Sequence, residues 1–222
     1  MRTHVLVDLD GTISDSSVGI ARSLQHAFRT CGYRPPTDAE VRAAIGPPFE
    51  ITFPKMGIPE RDIERVITAY RQRYEDIGLF ENEMYDGIGA MLTELGEQYT
   101  LALATAKPQH SAVRITEHFG LTDHFAYQAG ASPEVASGRR TKADVIGHAF
   151  DQLGIDAGGH VVMLGDRDHD VEGATAHGID CIGVTWGFGS PAELRDAGAV
   201  AVVDRPSDVA AAVSATYRSG QR

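Results

Sequence analysis

The hydrophobic pattern of this 222-residue chain changes texture near residue 88. At the start, Val5, Leu6 and Val7 form an unbroken apolar run, which suits a strand buried on both faces. From there to about residue 82 the apolar positions follow helical spacing. Ile20, Leu24, Ala27, Phe28 and Cys31 share one face, and Gly32 ends the run. Pro35-Pro36 breaks the chain, and Thr37 with Glu40 three residues on predicts a capped short helix that stops near Gly46-Pro47-Pro48. A short segment over Glu50–Met56 follows. A longer helix then begins near Glu60, carries Ile63, Val66, Ile67, Tyr70, Tyr74 and Ile77 on one stripe, and closes at Gly78.

From about residue 88, helices and strands alternate. Strands are predicted at Thr100–Thr105, more weakly at Phe125–Ala129, then at His160–Leu164, Asp180–Thr185 and Ala199–Val203. The intervening helices are predicted over Ile88–Leu95, His110–Phe119, Lys142–Leu153, Val171–His177 and Pro191–Ala197, with a last helix after the final strand. This alternation predicts right-handed crossovers and a parallel sheet covered on both faces. A crossover needs roughly a dozen residues including its helix, far fewer than separate the first two strands. The predicted fold is therefore α/β, a three-layer α/β/α Rossmann-like core of residues 1–15 and 83–222. Residues 16–82 form an all-helical cap inserted after the first strand, beside its carboxyl end.

Composition narrows the partners. A net charge of −11 argues against nucleic acid or an anionic membrane surface as the main partner. No apolar run reaches the ~18 residues of a membrane span, and no signal peptide precedes the first strand, so a soluble cytoplasmic protein is expected. Cys31 and Cys181 are isolated and read as reduced packing residues.

Candidate chemistry gathers at one edge. Asp8 and Asp10 follow the first strand and point the same way, and carboxylates so close require a proton or a cation between them. An isolated Asp-x-Asp-Gly is also what an ordinary turn looks like. Open parallel sheets bind ligands beyond the carboxyl ends of their strands. Thr105 and Lys107 lie at the end of a second predicted strand, and Gly165-Asp166-Arg167-Asp168-His169-Asp170 at the end of a third.

With these residues in view, DLDGT (Asp8–Thr12), Thr105, Lys142 and GDRDHDVEGA (Gly165–Ala174) resemble the four ordered motifs of the haloacid dehalogenase-like superfamily. The resemblance covers about residues 5–190. It is to the phosphatase branch with a helical cap, the phosphoglycolate phosphatase-like and 5′-nucleotidase-like proteins. It implies a Mg²⁺-dependent phosphomonoester hydrolase for a small phosphorylated substrate, either phosphoglycolate-like or a nucleoside 5′-monophosphate. Asp8 would be the nucleophile that becomes an aspartyl-phosphate, and Asp10 the acid and base. Asp8, the backbone carbonyl of Asp10, Asp166 and Asp170 would hold the metal. Thr105 and Lys142 would bind the phosphoryl oxygens, with Lys107 competing for the lysine role. Asp170 could instead be an acid at a helix N-terminus, interacting with the dipole. Arg167, Asp168 and His169 read as loop residues, and His169 is set aside as a ligand. A monomer or homodimer is expected.

Other classes stay open. A phosphomutase would use the same intermediate, and a carbon–halogen hydrolase would need the nucleophile but not Asp10 or the metal cage. A non-catalytic nucleotide-binding or regulatory protein is the third. Gly187-Phe188-Gly189-Ser190-Pro191-Ala192 fits G-x-G-x-x-A after a strand, with Asp204 after the next, which is a weak dinucleotide signal.

Overall fold

The computed structural model describes residues 1–46, 49–132 and 138–217, so the Pro47-Pro48 helix stop lies outside the described residues. The chain forms two compact units. One joins Met1–Ser14 to the chain from Met84 onward, and the other is Asp15–Glu83.

The second unit is helical: α1 (Ser17–Thr30), α2 (Asp38–Ala44), α3 (Phe49–Lys55) and α4 (Glu60–Asp76). Its core is the predicted apolar stripes. Ile20, Leu24, Ala27 and Phe28 of α1 and Ile63, Val66, Ile67, Tyr70 and Tyr74 of α4 are buried. Tyr70 and Tyr74 stack at 5.2 Å, and Phe28 meets Phe53 edge-on at 5.6 Å, so these rings are packing residues. The start of α2 is the reciprocal cap read from the sequence, with Thr37 Oγ1 accepting from Glu40 N–H and Glu40 accepting from Thr37 N–H. At the far end of α4, Arg73 donates to both oxygens of Glu81 (2.8 and 3.0 Å) and to Ser23 Oγ of α1, while Arg22 reaches Glu81 at 2.7 Å.

The first unit carries the sheet. Its strands are β1 (His4–Val7), a short β2 (Ser14–Asp15) paired with β3 (Glu83–Met84) where the chain passes between units, β4 (Thr100–Pro108), β5 (Tyr127–Ala131), β6 (Val161–Gly165), β7 (Asp180–Val184) and β8 (Ala201–Val203). Six of them form a parallel sheet in the order β5-β4-β1-β6-β7-β8. Fully buried Val5, Leu6 and Val7 place β1 at the centre, with His4 opposite Thr100 and Val161 and Val7 opposite Leu103 and Leu164. From β1 the chain steps outward one way through β4 and β5, then the other way through β6, β7 and β8. That reversal opens a crevice at the carboxyl ends of β1, β4 and β6.

The covering helices are α5 (Ile88–Gly96), α6 (Gln109–His118), α7 (Lys142–Leu153), α8 (Asp168–Ala176), α9 (Pro191–Ala197) and α10 (Val209–Ala215). On one face Val145, Ile146 and Ala149 of α7 and Val171 and Ala174 of α8 pack against Leu6, Ala102, Val161, Met163 and Cys181. Each large side chain so buried contributes roughly 1.5–3 kcal/mol. At the opposite sheet edge the buried Arg2 pairs with Asp180 and donates to Val161 O at 2.7 Å. Both cysteines are free, Cys181 in this core and Cys31 half-buried. Among the described residues no helix is long and apolar enough to cross a membrane.

Several boundaries shift from the sequence pattern, β5 to Tyr127–Ala131 and the start of β8 to Ala201 among them, and two of the shifts bear on the site. Strand β4 runs on past Thr105 to Pro108 through a register shift against β5. Helix α8 starts at Asp168, three residues earlier than predicted, because side chains satisfy the exposed N–H groups at its start. Asp170 accepts from Asp166 N–H and Arg167 N–H, and Glu193 accepts from Asp168 N–H.

Glu81 is held below the ordinary carboxyl value of 4.5, chiefly by its hydrogen bonds from Arg73, against partial burial, and then by Arg22. A depressed carboxyl contributes stability above its unfolded pKa and loses it as pH falls through the lower folded value. Urea unfolding at stepped pH is therefore expected to show acid destabilisation below pH 4.5 that Glu81→Gln flattens, the variant being weaker at pH 7. An unchanged pH slope would count against the Arg73–Glu81 network.

Candidate active site

The end of β1 builds the first part of the site. Asp8 N–H donates to Leu164 O at 2.9 Å, so the ladder runs one residue beyond the strand and holds Asp8 between β4 and β6. The chain then turns, with Gly11 N–H donating to Ser14 O and Ile13 N–H to Leu9 O. Gly11 has φ +90°, and a Cβ there would run into the Asp166 carboxylate. Glycine is required twice over, by the backbone and by the neighbour.

Lys142 is the first residue of α7 and is buried. Its Nζ lies 2.7 Å from Asp8 Oδ1 and 2.7 Å from Asp170 Oδ1, and it donates to Ala104 O at 2.9 Å. A solvated first-turn lysine is excluded by that burial. The helix dipole disfavours a cation at this end, and the two carboxylates offset it. Lys107 reaches a different partner, with Nζ 2.6 Å from Asp10 Oδ2. The two candidate lysines thus divide the two aspartates of the first motif between them. Thr105 is buried at the same strand end, its Oγ1 accepting from Lys107 N–H at 3.2 Å.

Asp166 and Asp170 are both fully buried. Asp170 serves both readings made of it: Oδ2 caps α8, and Oδ1 faces Lys142. Asp166 Oδ2 accepts from Phe188 N–H at 2.7 Å, and Thr12 Oγ1 lies 3.4 Å from Oδ1. Phe188 arrives there because Gly187 and Gly189 flank it. A Cβ on Gly187 would overlap Gly11 O and Asp166, and one on Gly189 would overlap Asp166 O. The G-x-G-x-x-A stretch is therefore used in wrapping Asp166, and Asp204 is taken by Thr185 Oγ1 at 2.8 Å. Trp186, the chain's single tryptophan, donates from Nε1 to Thr12 O at 3.0 Å.

Burial dominates the electrostatics. It pushes Asp8 up, against the pull of Lys142 and with added repulsion from Asp170. Burial, then the charges of Asp170 and Asp8, hold Asp166 well above the usual carboxyl range. For Asp170 burial is outweighed by Lys142, with help from His169, and its carboxyl stays low. For Lys142 burial acts downward but Asp170 and Asp8 overcome it, so the ammonium is held charged.

Four aspartates face two lysines in a low-dielectric pocket, and the burial and mutual repulsion that push Asp8 and Asp166 up are the strain a divalent cation would relieve. The carboxylates of Asp8, Asp166 and Asp170 are all buried there. Oxygen donors of this kind suit Mg²⁺. The residues therefore fit the metal that the sequence resemblance implies. One oxygen each of Asp8 and Asp170 and one ring nitrogen of His169 lie within 4.8 Å of one another. That trio brings in His169, which sequence reasoning set aside, and leaves out Asp166 and Asp10. In the sequence, residues 167–169 read as loop. The structure makes His169 the second residue of α8, with Nε2 3.9 Å from Asp170 Oδ1.

Comparison with known proteins gives a consistent result. Residues 5–184 match the haloacid dehalogenase-like hydrolase family. The tyrosine-protein kinase PtkA of Mycobacterium tuberculosis is 43% identical over 83% of this chain, and the chain spans only 62% of that protein's length. The 5′-nucleotidase of Pseudomonas aeruginosa is 40% identical over 86% of each chain. A predicted phosphatase from Clostridium acetobutylicum superposes with a TM-score of 0.89 at 34% identity, covering 97% of this chain and 99% of its own. The strand-end carboxylates, the sheet order and these matches agree: the chain belongs to the haloacid dehalogenase-like hydrolase family.

Proposed function

We propose that the protein is a Mg²⁺-dependent phosphomonoester hydrolase working through an aspartyl-phosphate, on a small substrate such as a phosphoglycolate-like acid or a nucleoside 5′-monophosphate. The observation that carries this reading is Lys142 Nζ, 2.7 Å from both Asp8 and Asp170 at the reversal point of the sheet. An ammonium beside a buried nucleophile is placed to meet the oxygens of a phosphoryl group that the nucleophile attacks. Bound by oxygens of Asp8, Asp166, Asp170 and the Asp10 carbonyl, Mg²⁺ would supply the positive charge that lets a dianionic ester approach this acidic pocket.

The chain's own residues would do the rest. Asp8 attacks phosphorus as the ester P–O bond breaks, and Asp10 gives its proton to the departing oxygen. Asp10, now a carboxylate, takes a proton from the water that attacks the aspartyl-phosphate, which returns Asp8 and releases inorganic phosphate. The Thr105 hydroxyl and Lys142 hold the transferring group in place. The 5′-nucleotidase relative, matched over 86% of both chains, supports the nucleoside monophosphate arm. The PtkA relative favours a second reading, in which a tyrosine hydroxyl replaces water as the acceptor.

A phosphate-release panel of phosphoglycolate, nucleoside monophosphates and hexose phosphates, with and without Mg²⁺, tests the main reading. Turnover is expected only with the metal. Asp8→Asn should lower it by roughly 10⁴-fold or more. Full turnover by that variant, or phosphate appearing on a tyrosine peptide from ATP with none released from the panel, would overturn hydrolysis.

Lys142→Met should abolish turnover and cost about 3–5 kcal/mol in urea unfolding, because it leaves buried carboxylates unpaired. Mg²⁺ alone should change the fluorescence of Trp186, which is linked through Thr12 to Asp166. Asp166→Asn should remove that response.

A further inference from the structure

The two oxygens of Asp10 have different surroundings. Oδ2 is held by Lys107 Nζ at 2.6 Å, whereas Oδ1 is buried with no hydrogen-bond partner. Lys107 is itself placed by the backbone. The register shift between Thr105 and Pro108 turns the chain, and Lys107 N–H donates to Thr105 Oγ1 at 3.2 Å. Gly130 of β5 lets this irregular stretch pack closely, since a Cβ there would come within 2.8 Å of Lys107 O and Gln109 N. The Lys107 side chain is 5% exposed, so few of its orientations are open. A buried acceptor without a donor costs about 1–3 kcal/mol, and such atoms persist where a ligand or reacting group uses them.

We infer that Lys107 is a positioning residue for proton transfer. By holding Oδ2 it fixes the rotation of the Asp10 carboxyl and leaves Oδ1 as the atom that carries the proton. That proton passes from Oδ1 to the ester oxygen while the P–O bonding pair stays on that oxygen and the Asp8–phosphorus bond forms. This role rests on the proposed hydrolysis and divides labour between the lysines: Lys142 serves the phosphoryl group and Lys107 the leaving group.

Leaving-group chemistry separates this role from phosphate binding. A nitrophenolate departs without protonation, whereas an alkoxide needs an acid. Full-length protein and its Lys107→Met, Lys107→Arg and Asp10→Asn variants would be assayed with Mg²⁺ on p-nitrophenyl phosphate and glycerol 2-phosphate. Thermal melting would accompany each assay. Lys107→Met is expected to lose roughly 10²-fold or more in kcat on glycerol 2-phosphate and less than about tenfold on p-nitrophenyl phosphate, with KM little changed. Lys107→Arg should recover part of the loss. The double variant Lys107→Met/Asp10→Asn should be no slower than Asp10→Asn alone, as for groups acting as one unit.

Equal losses on both esters, or a loss confined to KM, would overturn the role and make Lys107 a phosphate-binding or structural group. A melting loss with equal falls on both esters would do the same. Wild-type protein inactive on both esters and on the phosphate-release panel would instead overturn hydrolysis, and this inference with it.

Discussion

A buried ammonium among buried carboxylates governs the carboxyl edge of this sheet. Lys142 begins α7, an end of a helix that repels positive charge, and it lies away from water. It is tolerable there only because Asp8 and Asp170 each approach within 2.7 Å and Ala104 O accepts one of its protons. Those contacts join the end of β1, the body of β4, the start of α7 and the start of α8. Removing any one group leaves another charge stranded in low dielectric, which is worse than never having buried the pair. The same arrangement keeps the Asp8 carboxylate oriented and the pocket short of positive charge.

Around that interaction, space is taken up by backbone. Asp166 is enclosed by Gly11, Gly187 and Gly189, and a side-chain carbon at any of these positions would overlap it or its carbonyl. Gly165 crowds Asp170, and Gly173 crowds the stem of Lys142 in the same way. Backbone can come closer than side chains, so peptide N–H groups such as that of Phe188 can solvate a buried carboxylate in place of water. The acidic cluster and the glycine content of the nearby loops are one design.

The sequence made local features legible and left the convergent ones open. The Thr37–Glu40 cap, the α1 and α4 stripes and the alternation after residue 88 depend on neighbours within a turn or a strand, and the structure reproduces them. Asp8, Asp10, Thr105 and Asp166 were visible because strand ends in a parallel sheet meet at one edge. Which lysine serves which aspartate was not, since Lys107 and Lys142 reach the same edge from different elements. His169 stood outside the expected site because Asp-His-Asp reads as loop until Asp170 is seen to cap its own helix. The glycine pair at 187 and 189 carried a weak dinucleotide-binding signal, and the structure uses both for close approach to Asp166.

The order of the sheet also has a consequence for how the chain is made. Strand β1 leaves the ribosome before either neighbour exists, since His4 must wait for Thr100 and again for Val161. Meanwhile every contact within Asp15–Glu83 closes over fewer residues than separate His4 from Thr100, and shorter closures form faster. The helical unit is thus complete while Val5, Leu6 and Val7 are still an unpaired apolar edge, the type of surface that recruits chaperones or aggregates. Slow translation between residues 84 and 165 would prolong that exposure, making the pace of synthesis a determinant of yield for this topology.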